Sequence, residues 1–163
     1  MMNVPTPLPL THSWPIYEAG WRLPPGALAG SADALVEGQV GLWSCTLHDN
    51  QLGWTAPIYE LFGIPPEERL TRSLAVSLYL PRSRAAMEEL RAHAIRHKRG
   101  FTLDAQIRRP DGEVRWMRLS ALPVLAGKAV ERLIGTKQDV TAEYDGGGDR
   151  AERRCWPDHD AAI

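Results

Sequence analysis

Two alternating segments joined by a tight turn constrain this 163-residue chain more than any other feature. From Phe101 to Ile107 every second residue is apolar, which is the period of a half-buried strand. The turn residues Pro110–Glu113 follow, and a second, largely apolar segment runs over Val114–Leu122. The pattern predicts an antiparallel hairpin whose apolar side must be covered by other parts of the chain.

The remaining elements place this hairpin in an α+β fold. Two more strands are predicted over Gly41–Leu47 and Gln51–Trp54, and a last strand over Ala129–Val140. A long helix is predicted over Arg82–Lys98, since its apolar residues recur at helical spacing. Two strands, a helical middle and three strands predict a five-stranded antiparallel sheet with helices on one face.

The predicted domain organisation is a single folded unit with loose ends. Residues 1–30 hold six of the thirteen prolines, which predicts a flexible, extended arm. Residues 31–40 are predicted to form a capping helix that begins at Ser31. Residues 41–144 form the domain itself, and residues 145–163 are predicted to be a disordered tail.

Four segments resemble the PAS domain, in the subclass with a PAC-like C-terminal half. They are Gly41–Trp43 in the opening strand, Trp54–Gly63 around a short helix, Ile107–Trp116 in the hairpin, and Gly135 with Asp139–Thr141 in the last strand. The resemblance covers about two thirds of the chain, residues 41–144. It implies a sensory module of signal transduction that binds a small molecule or a partner protein.

The resemblance also implies a signal exit at Gly135, Asp139 and Thr141, where relatives pass a signal to a following helix. Here residues 145–163 follow and encode no effector. The module therefore signals in trans, or it is a fragment of a PAS-containing histidine kinase or diguanylate cyclase. Both interpretations stay open at the level of the sequence.

Composition and motifs exclude several other functions. The formal net charge of −1 gives no electrostatic reason for a nucleic-acid or membrane partner. The two cysteines are too few for a disulfide scaffold. No signal peptide or membrane-spanning segment is apparent in the sequence, so we expect a cytoplasmic location. Neither paired carboxylates, a nucleophile with its base, nor a phosphate loop is present, so we do not expect an enzyme.

The alternation of the strands predicts which residues line a ligand pocket beneath the helices. If Met117 and Leu119 point inward, the neighbouring strands and the long helix contribute a defined set. The predicted pocket residues are Trp43, Cys45, Leu90, Leu103, Ala105, Ile107, Met117, Leu119 and Ala121.

No cofactor is expected, although haem and flavin are not excluded. The photoadduct chemistry of light-oxygen-voltage flavin domains needs a cysteine after Gly63, and residues 64–80 contain none. The alternative function is a haem-binding gas or redox sensor that uses a histidine of the long helix. His93 and His97, four residues apart on that helix, are the candidate ligands.

The opposite side of the hairpin predicts a contact surface. If Met117 points inward, Val114, Trp116 and Leu122 point outward, and such apolar groups mark an interface. Leu35 and Val36 of the predicted capping helix and a second copy of the chain are the expected covers, so a homodimer is expected. A sensor kinase or another signalling protein is the other expected partner.

Overall fold

The computed structural model describes residues 12–24, 27 and 40–145. Residues 31–39 of the predicted capping helix, including Leu35 and Val36, lie outside this part of the chain. So do most of the predicted arm and the tail after residue 145. No helix in the described part is long and apolar enough to cross a membrane.

Six strands of the described residues form one antiparallel sheet in the order β1-β4-β5-β6-β2-β3. The predicted antiparallel sheet of five strands is therefore present, and a sixth, short strand extends one edge. The strands are β1 (Ser13–Pro15), β2 (Gly41–Thr46), β3 (Gln51–Trp54), β4 (Arg99–Arg108), β5 (Val114–Ala126) and β6 (Ala129–Asp139).

The three middle helices cover one side of the sheet, which we call the inner face. The inward residues of β4 and β5 pack with apolar residues of the three middle helices into the main core. The helices are α1 (Ala19–Arg22), which follows a 3-10 turn at Ile16–Glu18, α2 (Ala56–Phe62), α3 (Arg72–Ser77), α4 (Pro81–His97) and α5 (Thr141–Asp145).

The ends of α4 explain how the long helix is fixed to the sheet. Pro81 occupies the first helical position, where its missing N–H is no loss. Ser83 is buried and its hydroxyl accepts a hydrogen bond from the backbone N–H of Gln106 in β4 at 2.8 Å. The helix ends at Lys98, which has a left-handed backbone with φ of 55°. Gly100, two residues later, lies in β4.

The predicted flexible arm is wrong for residues 13–22. Ser13–Pro15 pairs with Arg99–Phe101 as an edge strand, a place where proline is tolerated. Trp14 is 1% exposed, and its indole N–H donates to the Thr102 hydroxyl at 3.1 Å. A side chain on Gly100 would lie 2.2 Å from the Trp14 ring, so glycine at this position admits the indole.

The outer face of the sheet is covered by the chain itself, which corrects part of the predicted interface. Leu122 is 7% exposed and packs in a second core with Trp14, Ala19, Leu23 and Ala27. These N-terminal residues, rather than a second copy, cover Leu122. Trp116 also has an internal cover, since the Tyr144 ring stacks on it, while Val114 is 36% exposed.

We expect Trp14→Ala to lower the free energy of unfolding by about 3 kcal/mol, because it empties the centre of the outer core. The matched control is Trp21→Ala, since Trp21 is 70% exposed and should change stability by no more than about 0.5 kcal/mol. Urea unfolding followed by circular dichroism measures both. Equal, small effects of the two variants would show that β1 does not dock on β4.

Candidate functional site: an inner cavity and a signal exit

A cavity of about 50 Å³ lies between the sheet and α3–α4. Its walls combine aromatic and aliphatic groups with three cationic side chains, Arg72, Arg91 and Lys137. The remaining lining residues are Trp43, Cys45, Leu52, Ala75, Val76, Tyr79, Met87, Phe101, Leu119 and Leu133. A mostly apolar cavity with a few polar groups is the usual form of a small-ligand site.

The structure brings three of the nine predicted pocket residues to this cavity, namely Trp43, Cys45 and Leu119. Trp43 is half-buried, and the other eight are buried, so the inward register of β5 is as expected. The remaining six belong to the solid core beside the cavity. They are Leu90, Leu103, Ala105, Ile107, Met117 and Ala121.

Lys137 is the cavity residue that the sequence analysis missed. It is 7% exposed, although lysine is one of the residues least often buried. Its Nζ lies 5.4 Å from the ring centre of Trp43, 5.2 Å from that of Trp54 and 5.1 Å from that of Phe62. The Tyr79 ring is 6.0 Å away. The sequence does contain a pattern that predicts this burial. Alternation by two along β6, from Leu133 through Gly135, places residue 137 on the inner face.

The aromatic surroundings make the charged form of Lys137 costly. No carboxylate pairs with its Nζ within residues 12–24, 27 and 40–145. Burial lowers the pKa of the Lys137 amine to about 7, a shift that Cys45 opposes and the nearby Arg72 cation reinforces. Ring faces attract a cation, but they do not replace its hydration shell.

Gly135 brings Trp43 close to the backbone of the sheet. The Trp43 indole N–H lies within reach of the carbonyl oxygens of Ser120 at 3.2 Å and Thr136 at 3.3 Å. A side chain on Gly135 would lie 1.7 Å from the Ser120 oxygen and 2.9 Å from the indole nitrogen. Gly135 therefore leaves room for Trp43, which lines the cavity, and lies four residues before Asp139.

The exit itself is a compact hydrogen-bonded group around Asp139. Its Oδ1 accepts from the backbone N–H of Thr141 at 2.9 Å and from the Thr141 hydroxyl at 2.6 Å. Arg115 donates to Oδ2 at 2.6 Å. Burial alone would raise the pKa of Asp139, but these bonds hold it below its ordinary value. The Asp139 carboxylate thus fixes the turn from β6 into α5.

Helix α5 docks on the outer face of the sheet. The Tyr144 ring stacks on Trp116, with ring centres 4.0 Å apart and planes 9° apart. Asp104 accepts from the Tyr144 hydroxyl and from Arg118, whose Nε and Nη2 lie 2.9 and 3.0 Å from its two oxygens. Tyr144 is therefore the internal cover of Trp116, whose predicted covers were the capping helix and a second copy.

The two histidines lie apart from the cavity. Their rings are 4.5 Å apart on α4, with His93 half-buried and His97 exposed. Burial and the neighbouring His97 lower the pKa of His93. Neither residue lines the cavity beside Lys137. The proposed haem ligation is therefore not favoured by the placement of these side chains.

Comparison with known proteins decides the family. The model of the family described as PAS fold matches residues 51–137, which is more than half of the chain. The chain belongs to the PAS fold family. PAS domains are typically sensory, non-catalytic modules, so the predicted sensor in signal transduction is confirmed at this level.

Individual relatives come from signalling proteins. The chain is 30% identical over 105 residues to the probable diguanylate cyclase DgcE of Escherichia coli (strain K12) and spans only 9% of that protein. A sensory box histidine kinase/response regulator from Burkholderia thailandensis E264 has a TM-score of 0.61 at 18% identity, over 74% of this chain and 92% of that one. The N-terminal domain of a diguanylate cyclase with a PAS/PAC sensor from Marinobacter aquaeolei has a TM-score of 0.60 at 18% identity, over 64% and 98%.

We expect Lys137→Met to raise the free energy of unfolding at pH 7 by about 1–3 kcal/mol, because it keeps an apolar stem and buries no amine. The difference from wild type should shrink between about pH 7 and about pH 9.5. In that window the unfolded chain retains the Lys137 proton and the folded chain releases it, so wild-type stability rises with pH. Burial raises the pKa of Tyr79, which therefore stays protonated.

Urea titrations at several pH values measure this difference, with Lys128→Met as the control because Lys128 is exposed. The control should shift stability by no more than about 0.5 kcal/mol at any pH in the window. A destabilising Lys137→Met, or a difference that does not change with pH, would contradict the account.

Proposed function

We propose that this PAS domain is a non-catalytic sensor in which occupancy of the inner cavity changes the docking of α5 on the outer face. The observation that carries the proposal is the position of both sites on one strand. Lys137 lines the cavity and Asp139, two residues later on β6, holds the exit. Side chains two residues apart on a strand lie on the same face of the sheet. A movement of this part of β6 would therefore displace Lys137 and Asp139 together.

The contacts of β6 support transmission in this direction. Lys137 pairs with Leu119, and Asp139 pairs with Met117, so the same part of β5 flanks both residues. Val140 N–H donates to the carbonyl of Trp116 at 2.9 Å, and Trp116 N–H donates to the Thr141 hydroxyl at 3.0 Å. A displacement of β6 against β5 would therefore alter the platform on which Tyr144 stacks.

The receiver of the signal is proposed as a domain that follows α5 or a separate signalling protein. The relatives in a diguanylate cyclase and a histidine kinase support either arrangement. Association into a homodimer stays a prediction. Among the described residues of its predicted surface, Val114 is exposed, whereas Trp116 and Leu122 have internal covers. The exposed Tyr17 and Trp21 offer a further apolar patch.

Filling the cavity should mimic a ligand without any need to know its identity. Ala75 is buried in the cavity wall, and Ala75→Leu adds three carbon atoms there. We expect amide hydrogen exchange in peptides covering residues 140–145 to accelerate several-fold, while β2 and β3 keep their protection. Exchange followed by mass spectrometry measures both regions in one experiment.

The matched control is Ala85→Leu, the same substitution at an exposed position of α4. It should leave exchange at residues 140–145 unchanged. If Ala75→Leu loosens the entire core, Val76→Ile adds a single methyl group to the same wall. Equal exchange at α5 in the cavity variants and the control would disprove coupling between cavity and exit.

A further inference from the structure

The inner cavity contains a buried primary amine. Lys137 is more than nine-tenths buried and contributes to the cavity wall. Within the described ranges its Nζ has aromatic rings for neighbours and no carboxylate partner. A buried amine of this kind is the environment in which lysine becomes a nucleophile toward carbonyl groups.

We propose that the cavity binds a small 2-oxo acid, with its carbonyl carbon held at Lys137 as a reversible imine. The inference rests on the proposed function and names the ligand class of the same site. In this step the neutral Nζ attacks the carbonyl carbon and forms a carbinolamine. Loss of one water molecule gives the C=N bond, and hydrolysis reverses it, so no oxidant or reductant is needed.

The cationic groups of the cavity select for a carboxylate beside the carbonyl. Arg91 of α4 lines the cavity, and its Nη2 contacts the Asn50 side-chain oxygen at 3.3 Å. No carboxylate pairs with Arg91 in the described part of the chain. Arg72 also lines the cavity but is already paired with Glu88. Arg91 is therefore the free cation available to a ligand carboxylate.

The size and acidity of the site fit such a ligand. A cavity of about 50 Å³ favours glyoxylate or pyruvate over an aromatic 2-oxo acid. Since burial lowers the pKa of Lys137 to about 7, a large share of the amine is neutral near neutral pH. The titratable and charged neighbours that face it are Cys45 on β2, Arg72 on α3, Tyr79 after α3 and Arg91 on α4.

Reductive trapping tests the proposal on the full chain. The protein is incubated at pH 7 with glyoxylate, pyruvate or phenylpyruvate and with cyanoborohydride, which reduces an imine to a stable secondary amine. Peptide mapping then locates the label. The chain has three lysines, Lys98, Lys128 and Lys137, and the first two are exposed internal controls.

We expect labelling at Lys137 to be at least about tenfold faster than at Lys98 or Lys128, because only Lys137 of the three lies in the cavity that would hold the ligand. Glyoxylate should label faster than pyruvate, and phenylpyruvate should not label Lys137. The label should be absent in Lys137→Arg, which keeps a cation but offers no neutral amine. Equal labelling of the three lysines would overturn the proposal.

A second experiment tests the contact between Arg91 and the ligand carboxylate. Arg91→Gln should slow trapping of glyoxylate about tenfold or more and leave trapping of acetaldehyde unchanged, since acetaldehyde has no carboxylate. Arg96→Gln, an exposed position on the same helix, is the matched control and should change neither. If Arg91→Gln slows both probes equally, the selection for 2-oxo acids is wrong.

Reductive trapping at Lys137 and hydrogen exchange at residues 140–145 test the ligand class and the proposed signal transmission separately. Specific trapping at Lys137 without any change in exchange at residues 140–145 would support the ligand class and reject signal transmission. Accelerated exchange in the cavity-filled variant without trapping would support transmission and reject the imine.

Discussion

Strand β6 lies between β5 and β2, and its alternation decides which groups enter the core. Leu133 and Lys137 line the inner cavity, whereas Ile134 packs with the outer core. A shift of one residue would exchange the two sets and place Lys137 on the outer face. Gly135 holds this register, because the Trp43 indole and the Ser120 carbonyl occupy the space that any side chain would need.

The parts of the fold with strong local patterns could be predicted from the sequence. The hairpin β4–β5 was predictable because two alternating segments flank a turn whose Gly112 has φ of 92°. The long helix was predictable because its apolar residues follow one stripe and Pro81 fits its first position. The exit was predictable from Asp139 and Thr141, although only the structure shows that Arg115 joins them.

The features that the sequence analysis predicted wrongly or missed depend on tertiary contacts. The prolines around Trp14 indicated a flexible arm. An edge strand, however, makes few backbone hydrogen bonds, so it tolerates proline. Burial of the Trp14 indole offsets the entropy cost of ordering this segment. The same N-terminal segment covers Leu122, which the sequence analysis had left for the capping helix and a second copy. Lys137 was overlooked because lysine is normally exposed. Its burial depends on aromatic rings from β2, α2 and the α3–α4 connection, which are distant in sequence and meet only in the fold.

Within the described part of the chain, Lys137 is a buried amine without a carboxylate partner, and it lines the inner cavity two residues before Asp139. Its titration is the most direct test, and ¹³Cε resonances of selectively labelled lysines report it in the intact protein, with Lys137→Arg for assignment. The account predicts one lysine with a midpoint near 7. A Lys137 midpoint near the ordinary lysine value of about 10.4 would contradict this account, because Lys137 would then be hydrated or paired with an anion.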